Sequence, residues 1–269
     1  MNRQISIIGC GWLGFPLAKL LIKKGYKIKG TTTSKERLAL LDNEKIKAFY
    51  LKVTAEGLTG NIQESLSNSD VLVLNVPPGL RKNPEQNYVA QINNLIPHIE
   101  SSKIKKVIFT SSTSVYADED FFLEITEKTK PNPNTESGKQ LLKVEELLKS
   151  NPHFKTTIVR FSGLFGNERH PAKQLSGKRD LKNANAPVNL IHLTDCIQII
   201  LKIIDQDIFG ELFNASTQPH PTKQSYYTSV CKTMGIPVPT YDLSQKSKGK
   251  IIDSNKLERI LNYTFQIKL

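Results

Sequence analysis

Hydrophobic positions along the chain fall into two rhythms that take turns. Residues 4–10 (Gln-Ile-Ser-Ile-Ile-Gly-Cys) are a short β-branched run that stops at glycine, the pattern of a buried parallel strand. From Phe15 to Lys24 the spacing turns helical: Leu17, Ala18, Leu20, Leu21 and Ile22 give a broad apolar face, and Gly25 ends it. Strands are expected over Tyr26–Lys29, Ile46–Val53, Asp70–Val76 and Val107–Thr110. Helices are expected over Ser34–Leu41, with Ser34 as N-cap, and within Gln86–Ile99. The alternation continues less regularly, with helices at Lys139–Leu148 and Thr194–Ile204 and strands at Thr156–Phe161 and Glu211–Ala215. Strands and helices alternating at this spacing predict an α/β fold with a doubly wound parallel sheet. The loops around residues 117–135 and 166–188 are long enough to carry function.

Composition narrows the classes. The chain has 269 residues, 38% hydrophobic and 23% charged, with mean hydropathy -0.33. That length can bury a full core without disulfide or metal staples. The greasiest stretch, Ile197–Ile204, is interrupted by Lys202, so no membrane span is expected. Met1-Asn2-Arg3-Gln4 leads straight into a strand-like segment, without the apolar region of a signal peptide. Cys10, Cys196 and Cys231 are far apart, with no C-x-x-C spacing; the expectation is reduced thiols, a cytoplasmic protein and no metal. A net charge of +12 raises the question of nucleic acid. The lysines, however, are spread along the whole chain without interleaved aromatics, so no nucleic-acid partner is expected.

The segment Gly9-Cys10-Gly11-Trp12-Leu13-Gly14 matches G-x-G-x-x-G, with a strand before it, a helix after it and a second strand beginning near Tyr26. In that context the first glycine permits a tight turn, the second lets backbone approach a pyrophosphate, and the third packs helix on strand. The helix N-terminus faces the phosphate charge. A Rossmann-type dinucleotide site results, with Trp12 and Leu13 in the turn. An NAD site usually puts Asp or Glu at the end of the second strand, to hold the ribose 2′-hydroxyl. Here the chain reads Gly30-Thr31-Thr32-Thr33-Ser34-Lys35-Glu36-Arg37. The hydroxyls of Thr33 and Ser34 with Lys35 and Arg37 suit a 2′-phosphate, which favours NADP over NAD.

Four further segments carry a resemblance. They are Val107–Tyr116 (Val-Ile-Phe-Thr-Ser-Ser-Thr-Ser-Val-Tyr), Arg160–Gly166 (Arg-Phe-Ser-Gly-Leu-Phe-Gly), Asn189–Asp195 (Asn-Leu-Ile-His-Leu-Thr-Asp) and Gly210–Ala215 (Gly-Glu-Leu-Phe-Asn-Ala). With the glycine turn, and in this order, they resemble the extended short-chain dehydrogenase/reductases of the NAD-dependent epimerase/dehydratase family, from residue 4 to about residue 216. The resemblance implies an NAD(P)-binding domain over residues 1–165. It also implies a small C-terminal substrate lobe over 166–269, with elements such as helix 194–204 returning to the sheet. On the cofactor side it places Asn75, Val76 and Pro77, then Thr110 and Ser111, and Lys139 on the nicotinamide ribose. Ser112 aligns with the serine that hydrogen-bonds the substrate oxygen. On the substrate side fall Arg169 as a clamp for an anion, His170, Asn189 and His192, the last also able to support the fold. A small-molecule substrate is implied, in the family a sugar derivative; a homodimer is common there.

One departure matters. The family's chemistry uses Tyr-x-x-x-Lys, in which the lysine and the nicotinamide charge lower the phenol's pKa so that it exchanges a proton with the substrate hydroxyl. The aligned segment reads Thr135-Glu136-Ser137-Gly138-Lys139. The lysine is kept and the tyrosine is a threonine, an aliphatic hydroxyl that scarcely holds negative charge at neutral pH. None of the eight tyrosines has a lysine four residues later. Tyr116 is the nearest remaining phenol. Glu145-Glu146, on a helix rich in leucine and lysine, read as surface. Two readings stay open: an atypical oxidoreductase or epimerase using Ser112 and Lys139 with Thr135 or Tyr116 as substitute, and a catalytically silent NADP-binding sensor or regulatory protein. Only 54 residues follow Ala215, which leaves room for a ligand smaller than a sugar nucleotide.

Overall fold

The computed structural model describes residues 3–269; Met1 and Asn2 of the lead-in lie outside the described residues. The first half runs β1 (Gln4–Ile8), α1 (Gly14–Lys23), β2 (Lys27–Thr32), α2 (Leu38–Asn43), β3 (Lys47–Thr54), β4 (Gly57–Gly60), α3 (Ile62–Leu66), β5 (Val71–Leu74), α4 (Tyr88–Ser101) and β6 (Lys106–Ser112). Then come β7 (Glu124–Ile125), α5 (Glu136–Ser150), β8 (Lys155–Phe161), β9 (Gly163–Phe165), α6 (Pro171–Leu175), β10 (Leu190–His192), α7 (Leu193–Asp205), β11 (Leu212–Ala215), α8 (Lys223–Thr233), β12 (Ile251–Ile252) and α9 (Asn255–Leu261).

The central sheet has eight strands in the order β11-β8-β6-β5-β1-β2-β3-β4. The pairs β1–β2, β1–β5, β2–β3 and β5–β6 are parallel, and β3–β4 is antiparallel. This is the Rossmann-like α/β arrangement. From β1 the chain winds outward through β2 and β3, then returns to β5 and winds the other way. The order therefore reverses between β1 and β5, and the carboxyl ends of those two strands flank the crevice where such sheets take their ligands. Ile5, Ile7 and Ile8 of β1 and Val71–Leu74 of β5 are all buried, as strands covered on both faces must be. The helices supply the cover: Leu17, Ala18 and Leu21 from α1, and Tyr88, Ile92, Leu95 and Ile99 from α4.

By internal contacts the chain forms two units. The first holds the described residues up to Val115, Pro133–Val159 and Ile197–Leu212; the second holds Tyr116–Asn132, Arg160–Cys196 and Phe213–Leu269. The backbone thus passes between units inside β8, α7 and β11. The second unit has its own core of Phe165, Val188, Leu190, Tyr226, Tyr227 and Cys231, on which Ile267 and Leu269 also pack. Its C-terminal segment is pinned by Asp195. This buried carboxylate accepts hydrogen bonds from the Tyr263 hydroxyl (2.6 Å), the Gln266 N–H (2.7 Å) and the Ile267 N–H (3.3 Å).

Two expectations need correction, and some short elements had none. Ser34 does not cap α2: it precedes a 3-10 turn at Lys35–Arg37, makes no capping bond, and donates its hydroxyl to Glu36 Oε2 at 2.6 Å. The helix starts at Leu38 instead. Glu145 is not on the surface. It is 2% exposed, on the same stripe as Leu141, Val144 and Leu148, and accepts the Ser111 hydroxyl at 2.5 Å. Offsets of three, four and seven residues place those four side chains together, so helical period outranked charge. Finally, β4, the five-residue α3 and α6, and the two- and three-residue strands have no periodic signature, being shorter than the period that would show them.

Candidate functional site

The glycine turn follows β1. Gly9 has φ +102°, and a Cβ there would lie 2.3 Å from the Asn75 carbonyl oxygen. A Cβ on Gly14 would lie 2.2 Å from the Gly9 carbonyl oxygen. Both glycines are therefore required by the protein's own packing. Gly11 differs: a Cβ there would meet no protein atom within 4 Å, and its φ lies outside the left-handed range. Nothing intramolecular asks for glycine at residue 11, whereas a pyrophosphate approaching the backbone does. The residues present thus fit a dinucleotide.

Neighbouring strands hold the turn in place. The Gly9 N–H donates to Thr31 Oγ1 (3.1 Å), and the Cys10 N–H donates to the Thr31 carbonyl (2.8 Å). Asn75 Nδ2 donates to the Gly9 carbonyl at 2.9 Å, and the Thr110 hydroxyl donates to Asn75 Oδ1 at 3.0 Å. Tyr88 donates its hydroxyl to the Val76 carbonyl at 2.7 Å, steadying the segment that continues to Pro77. The ends of β1, β2, β5 and β6 are so joined in one network. Cys10 faces away from chemistry: burial pushes its thiol up to about 12, leaving it an inert thiol. Leu13 is buried and precedes α1, whose N-terminus has no side-chain cap. Trp12 is half-buried beside it.

Beyond β2, Thr33 is exposed, and the Ser34 N–H donates to Thr32 Oγ1 at 3.2 Å. The Ser34 hydroxyl holds the Glu36 carboxyl below its ordinary range, so the one acid of this stretch is engaged locally. Lys35 Nζ lies 5.5 Å from the Tyr50 ring centre, and the Arg37 guanidinium 5.9 Å from that of Phe15 in the first turn of α1. Arg37 is close enough for its charge to act on Cys10. Arg37 thus stands beside the glycine turn, while Lys35 lies against Tyr50 of β3.

At the end of β6, Ser111 is bound to Glu145, while Ser112 is half-buried and its Oγ accepts the Ser114 N–H at 3.1 Å. α5 begins hard against this turn, since a Cβ on Gly138 would lie 2.4 Å from the Ser114 carbonyl oxygen. Thr135 is the N-cap of α5, its Oγ1 accepting the Gly138 N–H at 3.1 Å. Its oxygen is therefore held in a capping bond. Lys139 stands exposed on the first turn of α5, with no hydrogen bond or ion pair of its side chain among the described residues.

In the second unit, Tyr116 is 1% exposed. Arg160 donates to its hydroxyl and lies 5.0 Å from the ring centre, and Asn214 Oδ1 stands 3.4 Å from the hydroxyl. The one remaining candidate phenol is thus enclosed and hydrogen-bonded. Asn189 is likewise engaged: its amide donates to the Lys250 carbonyl (2.8 Å) and accepts the Ile252 N–H (2.9 Å), clamping the β12 segment. Arg169 is exposed, and its backbone bridges that of Gly166. His170 accepts the Ala172 N–H at Nδ1 (3.1 Å), and its Nε2 lies 3.2 Å from the Tyr226 hydroxyl. Burial first, then Lys173, lowers the pKa of His170. His192 accepts the Thr194 N–H at Nδ1 (3.1 Å), and Phe165 packs edge-on to both imidazoles. Thr31, Tyr226, Lys173 and Glu145 take part unforeseen. Only Glu145 had a signal in the sequence, its place in the apolar stripe.

Among the described residues no group of three or more His, Cys, Asp or Glu is placed to hold a metal, and no helix is long and apolar enough to cross a membrane. Comparison with known proteins agrees with the glycine turn. The chain is 30% identical to Protein YeeZ of Escherichia coli (strain K12) over 266 residues, 98% of this chain and 96% of that protein. UDP-glucuronic acid 4-epimerase from Bacillus cereus, solved with NAD, shares the fold with TM-score 0.78 at 18% identity, covering 99% of this chain and 94% of that one. UDP-glucose 4-epimerase from Thermotoga maritima, solved with UDP-glucose, gives TM-score 0.79 at 15% identity, covering 99% and 94%. The model of the NAD dependent epimerase/dehydratase family matches residues 5–215, which take in the glycine turn, the serine turn, Lys139 and the Asn189–Asp195 segment. With that span, and with a relative 30% identical over nearly its whole length, the chain belongs to the NAD-dependent epimerase/dehydratase family.

Proposed function

We propose that the protein binds NADP in preference to NAD and is an atypical oxidoreductase or epimerase acting on a carbonyl or hydroxyl substrate. The observation that carries the reading is Gly11, with no protein atom within 4 Å of a Cβ there, between Gly9 and Gly14, where a Cβ would collide with backbone. Gly9, Gly11 and Gly14 with the uncapped start of α1 would receive the pyrophosphate. Thr33, Ser34, Lys35 and Arg37 would surround a 2′-phosphate, with Glu36 held away by Ser34. Asn75, Val76, Pro77, Thr110 and Ser111 would approach the cofactor from the β5 and β6 side, and Lys139 would hold the nicotinamide ribose. When bound, NAD(P) supplies hydride transfer. Ser112 would orient the substrate oxygen. Fold neighbours named as UDP-sugar epimerases support a sugar derivative as substrate, approached by Arg169, His170 and His192. The three buried, free cysteines fit a cytoplasmic protein, and the family resemblance a homodimer.

A second reading is favoured by one specific observation. Thr135 caps a helix and Tyr116 is enclosed, so neither expected substitute is a free acid. A silent sensor that binds the dinucleotide without turnover needs neither. Trp12 is the sole tryptophan and lies in the glycine turn, so NADPH and NADH titrations at fixed salt are followed by its emission. Saturable quenching, stronger for NADPH, is expected. No saturable change with either overturns the dinucleotide reading. Oxidation of bound NADPH by a panel of carbonyl compounds and sugar nucleotides then separates enzyme from sensor.

A further inference from the structure

The second unit carries a cleft of ≈ 510 Å³, within the size range of small-molecule sites. Its walls differ in chemistry. Phe165, Met234 and Ile236 form the apolar side; Lys173 and His192 lie on the polar side. Met234 is 40% exposed, so its side chain is open to a ligand entering the cleft.

The polar wall offers directed donors. His192 uses Nδ1 to accept the Thr194 N–H, so its ring proton sits on Nε2. That Nε2 has no hydrogen-bond partner among the described residues. A Cβ at position 166 would lie 2.7 Å from it, so Gly166 leaves the N–H uncovered at the cleft. The Lys173 ammonium spends one donor on the Glu168 carbonyl at 2.9 Å and keeps two. His170 adds no third donor, because its Nε2–H is directed at Tyr226. One ammonium and one ring N–H suit two oxygens sharing a single negative charge, and the apolar wall suits a body attached to them.

We propose that this cleft binds a small organic anion, a carboxylate joined to an apolar body. The His192 Nε2–H and the Lys173 ammonium hold the carboxylate; Phe165, Met234 and Ile236 hold the body. The site lies wholly in the second unit and is read out with no dinucleotide present, so its fate is separate from that of the cofactor reading.

The test is NMR of the histidine imidazoles in the full-length protein. It is titrated with benzoate, phenylacetate and hexanoate, and with inorganic phosphate as an anion that has no apolar part. A saturable shift of the His192 and His170 resonances is expected with at least one carboxylate. Lys173→Gln should weaken that binding about fivefold or more, and Met234→Glu, which puts a like charge in the cleft, should abolish it. Both side chains are exposed, and an unchanged thermal midpoint checks that each variant folds. No saturable shift with any of the three carboxylates up to about 10 mM overturns the proposal. So does an equal response to phosphate, a shift confined to other histidines, or full retention of binding in Met234→Glu.

Discussion

Replacing each glycine of the turn by alanine separates packing from ligand approach. At Gly9 the new Cβ would stand 2.3 Å from a backbone oxygen at φ +102°. The left-handed strain costs about 1–2 kcal/mol and the forced overlap about 1–3 kcal/mol more. A loss of about 3 kcal/mol in total lowers the midpoint of a domain this size by on the order of 6–12 °C. Gly11→Ala meets nothing within 4 Å and no positive φ. Its folded state should be as stable as the parent, or up to about 1 kcal/mol more stable, because alanine restricts the unfolded chain. The methyl group would nevertheless occupy the approach of the pyrophosphate, and NADPH affinity should fall by about tenfold or more, near 1.4 kcal/mol. Thermal unfolding and Trp12 quenching on the same samples report both quantities. If Gly11→Ala is destabilised like Gly9→Ala, the packing argument is wrong. If it binds NADPH as the parent does, residue 11 does not face the pyrophosphate.

Lys35→Ala with Arg37→Ala should cut NADPH affinity about tenfold while changing NADH little, as the ratio of the two quenching constants will show; equal losses would disprove the 2′-phosphate assignment. Asp195→Asn replaces an acceptor of three hydrogen bonds by a group that brings donors of its own. It should cost about 2–3 kcal/mol and open the C-terminal segment to carboxypeptidase; an unchanged midpoint and digestion rate would count against the anchor. Asp207 is held below the usual carboxylate range by hydrogen bonds from Lys106 first and then Arg3. A depressed folded pKa means stability that is present above the unfolded value, near 3.9, and lost as pH falls through the folded one. The side chain is 54% exposed, so the effect stays below about 1 kcal/mol; Asp207→Asn should flatten the acid limb of a pH–stability curve by that amount, and an unaltered limb would deny the triad any part.

The sheet was legible because β5 is apolar on every residue, β1 carries three isoleucines among its five residues, and the glycine turn follows β1. Asn75 was named from the resemblance, and it stands directly after β5, where order along the chain and position at the crevice coincide. What escaped depends on contacts distant in sequence. Nothing near Asn189 announces that Lys250 and Ile252 will occupy its amide, and nothing near Tyr116 announces Arg160. Thr135 looked like a failed tyrosine, and its capping of α5 is visible only once the helix is seen to start one residue later. Glu145 is the instructive miss, since the helix that carries it was expected and its burial follows from the helical period alone.

Gly30, in β2, makes room for the turn: a Cβ there would sit 2.6 Å from Cys10 Sγ and 2.7 Å from Ile46 Cγ2. Cys10, Gly30 and Ile46 therefore divide one fixed volume among three positions far apart in the chain. Drift at any one of them is coupled to the other two: a lineage that gains a methyl at 30 must shed bulk at 10 or 46 at nearly the same time. Among homologues these positions should change as a set, so that the first variable place in the glycine signature records the history of the neighbouring strands more than that of the ligand.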